Sequence, residues 1–344
     1  MIVVMKQNAP QACVDRVIAE IERMGGRPHL SAGQFRTVIG IVGEEVSVDQ
    51  NHLASIDGVE KVLQVMKPYK LASRDFHEDD TVVQVGGGRV PIVKIGGANA
   101  ACIAGPCTVE NEQMLWKIAR QVRSSGANML RGGAFKPRTS PYSFQGHGET
   151  ALKWLRACGD ELKMPVCTEV MDTRQVDLME PYTDVYQIGA RNMQNFDLLR
   201  EVGKTHKPVL LKRGLAASVK DWLLSAEYML NEGNKNVILC ERGIKSFEDS
   251  VRYTLDITSV PVVKEWSHLP IVVDPSHCCG RRDLVPAVAL AGMAAGAHGI
   301  IIEVHYCPSE AQCDGPQALL PETFAELMGQ LKEIARITGK QFAA

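Results

Sequence analysis

The residues Leu130-Arg131-Gly132-Gly133-Ala134-Phe135-Lys136-Pro137-Arg138-Thr139-Ser140 gather two arginines, a lysine, a threonine and a serine directly behind the apolar stretch Ala127 to Leu130. Guanidinium forks and an ammonium are natural partners of phosphate and carboxylate oxygens. Gly-Gly and Pro-Arg-Thr hold such a run in a tight, mostly extended loop. The run therefore reads as an anion cradle. Arg191, Lys212 and Arg242 stand after other short apolar runs and join Arg131, Lys136 and Arg138 in one cationic set. A second set, Cys107, His277, Glu303 and Asp314, supplies a thiol, an imidazole and two carboxylates. Mixed S, N and O donors disfavour Mg2+ and Ca2+ and suit Mn2+, Fe2+, Co2+ or Zn2+. Taken singly, Cys107 also reads as a small buried hydrophobe, His277 as a core imidazole, and each arginine as a solvated rim residue.

The chain as a whole offers no other invitation to an anion. With 38 basic and 40 acidic side chains in 344 residues, the net charge is −2. Nucleic acid and anionic membranes are not expected partners, so the cationic set must act locally. The N-terminus MIVVMKQNAP turns polar too soon for a signal peptide, and no apolar run is long enough to span a bilayer. The ten cysteines are scattered, mostly inside apolar runs, with no CxxC pair. Reduced thiols in the cytoplasm are the expectation.

Elements that would position the two sets follow from periodicity. Met1 to Met5 reads as a strand, Ala9 to Met24 as a helix stopped by Gly25-Gly26, then strands at Arg27 to Ser31 and Arg36 to Val42. A short helix from Asp49 to Ile56 and a strand from Val59 to Val65 complete a βαββαβ ferredoxin-like unit over 1–70. Residues 71–80 read as a linker, and 81–95 as a β-hairpin turning at Gly86-Gly87-Gly88. From Ala100, apolar runs near 101–104, 127–130, 165–168, 185–188, 208–211, 237–240, 271–273 and 299–302 alternate with amphipathic helical stretches. That is the rhythm of an α/β (β/α)8 TIM barrel occupying 81–344. Chemistry in such barrels sits at the C-terminal strand ends. Here those ends carry Cys107, Arg131 with Lys136, Glu169, Arg191, Lys212 with Arg213, Arg242, His277 and Glu303.

The chain resembles the 3-deoxy-D-arabino-heptulosonate 7-phosphate (DAHP) synthases, in the subclass with an N-terminal ferredoxin-like (ACT-like) domain. The motifs that carry the resemblance are Ala104-Gly105-Pro106-Cys107, Leu130 to Gly146, Gln187-Ile188-Gly189-Ala190-Arg191, Leu211-Lys212-Arg213-Gly214, Cys240-Glu241-Arg242-Gly243, Asp274-Pro275-Ser276-His277 and Glu303-Val304-His305. The resemblance implies condensation of phosphoenolpyruvate with erythrose 4-phosphate and water, the first step of the shikimate pathway. It implies Cys107, His277, Glu303 and Asp314 as ligands of one divalent metal. It also implies phosphoenolpyruvate among Arg131, Lys136, Ala190, Arg191, Lys212 and Arg242, and erythrose 4-phosphate along Lys136, Pro137, Arg138 and Thr139. Lys136 is the expected proton donor, and Glu169 the residue that positions water. Feedback by an aromatic amino acid, tyrosine first, is expected at the N-terminal domain, with His29 and Ser31 on one strand face. A homotetramer is what the family suggests. No chorismate mutase activity is expected from so β-rich a domain.

Two places depart from the family pattern: Cys278-Cys279 after His277, and Tyr306 and Cys313 where proline and serine are more usual. The alternative reading is the sister 3-deoxy-D-manno-octulosonate 8-phosphate synthase, against which Lys136-Pro137-Arg138-Thr139 and residues 1–70 both argue.

Overall fold

The structure is a computed structural model describing residues 1–32, 36–42, 49–63, 68–138 and 140–342. The first strands and helices are β1 (Ile2–Met5), α1 (Gln11–Arg23), β2 (Arg27–Ala32), β3 (Thr37–Val42), α2 (Gln50–Ala54) and β4 (Val59–Leu63). They form an antiparallel sheet in the order β2-β3-β1-β4. Alternation along the strands gives this sheet two faces. Val3, Ile39 and Val62 pack with Val14, Val17 and Ile21 of α1 and Leu53 of α2. On the other face lie Val4, Val38 and Lys61, together with Ser31 and His29, whose register partners are Val38 and Gly40.

Residues 71–80, expected as a linker, are part of this first unit, which comprises 1–80 with 265–268. Tyr69, Leu71, Ala72 and Phe76 are buried. The Phe76 ring occupies the notch over Gly40, where a Cβ would lie 2.6 Å from it. His268 Nε2 donates to the Leu71 carbonyl at 2.7 Å, and the ring stacks on His77. The polar composition of 68–80 concealed these apolar contacts because they follow neither a helical nor a strand period.

The second unit, 81–264 with 269–344, begins with the hairpin β5 (Val83–Gly87) and β6 (Val90–Ile95). Its turn glycines Gly86, Gly87 and Gly88 all have positive φ, which a side chain would resist. Eight parallel strands follow: β7 (Asn99–Gly105), β8 (Met129–Arg131), β9 (Val166–Val170), β10 (Val185–Ile188), β11 (Val209–Lys212), β12 (Val237–Glu241), β13 (Ile271–Val273) and β14 (Gly299–Glu303). Pairing of β14 with β7 closes the barrel, and β15 (Gln341–Phe342) adds to β7 outside it. The helices are α3 (Glu112–Ser124), α4 (Glu149–Leu162), α5 (Val176–Met179), α6 (Phe196–Lys204), α7 (Val219–Asn231), α8 (Ser259–Trp266), α9 (Pro275–Cys279), α10 (Val285–Ala294) and α11 (Pro321–Ile337). Strands β8 to β14 are buried at every position, as expected of parallel strands covered on both faces. Inside, Ile103, Met129, Val185, Leu210, Ile238 and Ile301 form one core with Val83, Val85, Val93 and Ile95 of the hairpin. No helix among the described residues is long and apolar enough to cross a membrane.

Candidate active site

Barrel closure brings the strand ends together. Cys107 follows β7, Arg131 ends β8, Glu169 lies near the end of β9, and Lys212 ends β11. Arg131, Lys136, Pro137, Arg138, Glu169, Ala190, Arg191, Lys212, Arg242, His277 and Asp314 line one pocket. Thr139 lies outside the described residues. Three close approaches depend on glycine. A Cβ at Gly105 would meet the Arg131 carbonyl oxygen at 2.1 Å, one at Gly133 the Lys136 stem at 2.7 Å, and one at Gly189 the Glu169 carboxylate at 2.0 Å.

The donor atoms of Cys107, His277, Glu303 and Asp314 all lie within 4.8 Å of one another. His277 sits on α9, where Asp274 caps the helix by accepting from the His277 amide. Asp274 also holds the His277 Nδ1 at 2.8 Å, which turns Nε2 towards Glu303 (3.4 Å) and Asp314 (3.9 Å). Cys107 Sγ is 3.4 Å from Asp314 Oδ2. Asp314 adopts a left-handed conformation, φ 52°, which an aspartate tolerates better than most residues.

Protonation in this cluster favours a cation. Burial pushes the His277 imidazole below its ordinary value despite the Asp274 carboxylate. Burial acts to raise Glu303, yet His277 and Arg131 hold it below the usual carboxylate range. Asp314 is pulled down to about 2, again against burial, by His277 and Arg252. The Cys107 thiol, hydrogen-bonded to Cys313 at 3.2 Å, buried, and facing Glu303, is held well above its ordinary value. A divalent ion replacing that proton would relieve the cost. Two carboxylates, one imidazole and one thiol form a donor set suited to a transition ion.

The cations beside this cluster have hydrogen-bonding capacity to spare. Arg131 is 4% exposed and Arg242 5%. Arg131 reaches Glu303 at 3.2 Å and the Cys107 carbonyl at 3.4 Å, yet among the described residues its Nε and Nη1 have no partner, and neither does Arg242 Nη1. Buried donors without acceptors are costly, so these mark where an anion would bind. Lys212 pairs with Asp274 at 2.5 Å. Lys136 Nζ contacts both the carbonyl oxygen (3.1 Å) and Sγ (3.2 Å) of Cys107. Arg138 donates to Cys313 Sγ, and Arg191 to the Pro137 carbonyl. Gln187 donates to Glu169 Oε2.

Arg252, Tyr253, Gln187 and Cys313 also belong to this site; Gln187 stands in a motif quoted above and Cys313 among the departures from the family pattern, whereas the sequence drew no attention to Arg252 and Tyr253. Arg252 and Tyr253 line the pocket, and Tyr253 lies under the Arg242 guanidinium at 4.3 Å. Both come from the long segment after β12, where no spacing rule ties a side chain to a strand end. In the first unit, Ser31 lines a cavity of about 640 Å3 with Arg36, Lys61, Arg74 and Asp75. His29 is on the same strand face but is not among its lining residues.

Comparison with known proteins agrees with both units. The DAHP synthetase I family matches residues 77–337, and the DAHP synthase ferredoxin-like domain matches residues 1–67. A phospho-2-dehydro-3-deoxyheptonate aldolase of Thermotoga maritima is 49% identical over 339 residues, covering 98% of this chain and 99% of that protein. The crystal structure of a Thermotoga maritima phospho-2-dehydro-3-deoxyheptonate aldolase (DAHP synthase) superposes with a TM-score of 0.78 at 48% identity, over 99% of both chains. A truncated form of 3-deoxy-D-arabino-heptulosonate 7-phosphate synthase from the same organism covers 80% of this chain and 99% of its own, with a TM-score of 0.74 at 46% identity. A 2-dehydro-3-deoxyphosphooctonate aldolase of Syntrophobacter fumaroxidans is 33% identical over 260 residues, 70% of this chain and 89% of that protein.

Proposed function

The chain belongs to the DAHP synthetase I family, and from that membership we propose that it joins phosphoenolpyruvate, erythrose 4-phosphate and water into 3-deoxy-D-arabino-heptulosonate 7-phosphate and phosphate. The observation that carries this reading is the pair of buried guanidiniums, Arg131 and Arg242, whose N–H groups are left without partners among the described residues beside the Cys107, His277, Glu303 and Asp314 cluster. Arg131, Arg191, Lys212 and Arg242 hold phosphoenolpyruvate by its phosphate and carboxylate. Arg138, with Pro137 and Thr139, holds erythrose 4-phosphate so that its aldehyde meets C3 of phosphoenolpyruvate. A divalent transition metal held by the four-residue cluster would polarise the aldehyde oxygen. Lys136 donates a proton to the alkoxide that forms with the new C–C bond. Glu169, oriented by Gln187, positions the water that adds at C2 before phosphate departs by C–O cleavage.

The first unit supports a regulatory reading. Its cavity presents Arg36, Lys61 and Arg74 on one hand and Asp75, Glu78 and Asp79 on the other. An amino acid carries one charge of each sign, and Ser31 supplies a hydroxyl partner. Tyrosine is the first effector to test, with phenylalanine beside it. A cytoplasmic homotetramer completes the proposal, and sedimentation of the purified protein tests the subunit number.

Loss of phosphoenolpyruvate absorbance provides the test of substrate. Turnover is expected with erythrose 4-phosphate, abolished by a chelator and restored by Mn2+ or Co2+. Faster turnover with arabinose 5-phosphate would transfer the chain to the sister reaction.

A further inference from the structure

Each carboxylate of the cluster is held from behind. Glu303 turns Oε1 inward, 3.4 Å from His277 Nε2, while its Oε2 accepts from Gln317 Nε2 at 2.8 Å. Asp314 turns Oδ2 inward, 3.4 Å from Cys107 Sγ, while its Oδ1 faces Arg252 Nη1 at 3.3 Å. The same Arg252 Nη1 donates to Gln317 Oε1 at 2.9 Å. A single chain of contacts thus runs from Asp314 through Arg252 and Gln317 to Glu303. Gln317 is 2% exposed, and its carboxamide accepts at one end and donates at the other. A glutamate there would set two carboxylates against each other.

The backbone brings Arg252 to this position by three separate contacts. Tyr253 N donates to the Cys278 carbonyl at 2.9 Å, Arg252 N to the Cys279 carbonyl at 3.3 Å, and Ile244 bridges to Thr254. Gly280, with φ 68°, makes room: a Cβ there would lie 2.6 Å from the Arg252 Cβ. Carbonyls at the end of α9, the helix that carries His277, therefore fix the segment that carries Arg252.

We propose that Arg252 and Gln317 are positioning residues that orient Asp314 and Glu303, each presenting one oxygen to a bound divalent ion. This rests on the metal site proposed above. Outer partners of metal ligands commonly contribute 10- to 100-fold in affinity. The test is Co2+ binding to the full chain without substrate, by competition with a chromophoric chelator, for wild type, C107A, R252Q and Q317M. Arg252 is one-third exposed, so R252Q should fold as wild type does. Circular dichroism checks both positioning variants, and R252Q alone decides if Q317M is unfolded. R252Q and Q317M should each raise the Co2+ dissociation constant 10- to 100-fold and alter the visible cobalt spectrum. Unchanged affinity in R252Q with a raised substrate KM would overturn the proposal and make Arg252 a substrate ligand. An effect in R252Q but none in a folded Q317M would also overturn it. Failure of the wild type to bind Co2+, or undiminished binding by C107A, is a different result that removes the metal site itself.

Discussion

Lys136 is gripped by one residue through two atoms, the carbonyl oxygen and sulfur of Cys107. Burial would favour the neutral amine, yet its neighbours Cys107, Cys313 and Glu169 raise its pKa above the ordinary lysine value. The ammonium therefore stays charged, and a weak acid suffices because an alkoxide is a strong base. Lys136→Ala should lower kcat by about 10²- to 10⁴-fold while Co2+ binding persists, measured by initial rates and chelator competition. A variant that keeps its turnover would remove Lys136 from the proton transfer. Lys136 and Arg131 were legible in the sequence because both stand in a run whose composition has few other uses. Arg252 was not legible. Its role depends on the turn of a loop and on two carbonyls in another segment, and neither leaves a spacing signal.

Between β9 and β10 the parallel register sets Gln187 opposite Glu169, and the chain then turns at Gly189. This glycine has φ −67°, an ordinary value, so the requirement is for space. A methyl at this position would stand 2.0 Å from Glu169 Oε1. Gly189→Ala should cut kcat at least tenfold by displacing the carboxylate, at a stability cost of about 1–3 kcal/mol. Comparing kcat with the urea midpoint separates the two effects, and full activity in a folded variant would deny Glu169 its proposed part. The barrel strands themselves were readable because burial on both faces demands uninterrupted apolar runs. Residues 71–80 were misread for the converse reason: Leu71, Ala72 and Phe76 are buried one by one among polar neighbours, without a period.

The two units make separate predictions. His268 is buried, and desolvation lowers its pKa from 6.5 to about 4. The unfolded chain takes up that proton first, so the stabilisation is complete above pH 6.5 and is lost as pH falls towards 4. At pH 5 the loss should be about 2 kcal/mol relative to neutral pH, and His268→Asn should flatten the dependence of the urea midpoint on pH. An equally steep profile in that variant would assign the acid sensitivity to other groups. Removal of residues 1–80 should abolish tyrosine inhibition and leave the condensation intact, as steady-state rates with and without tyrosine would show; inhibition that survives the deletion places the effector on the barrel. The sequence by itself determined the order and type of the elements, the barrel, the ferredoxin-like unit and the chemical identity of both side-chain sets, since local periodicity and residue chemistry are properties of the chain. Only the tertiary structure decided which atoms meet. Cys107 and Asp314 are far apart along the chain, yet closing β14 on β7 brings their donor atoms to 3.4 Å. The orientation of those atoms is set by Asp274, Gln317 and Arg252, and non-local contacts of that kind carry no periodic signature.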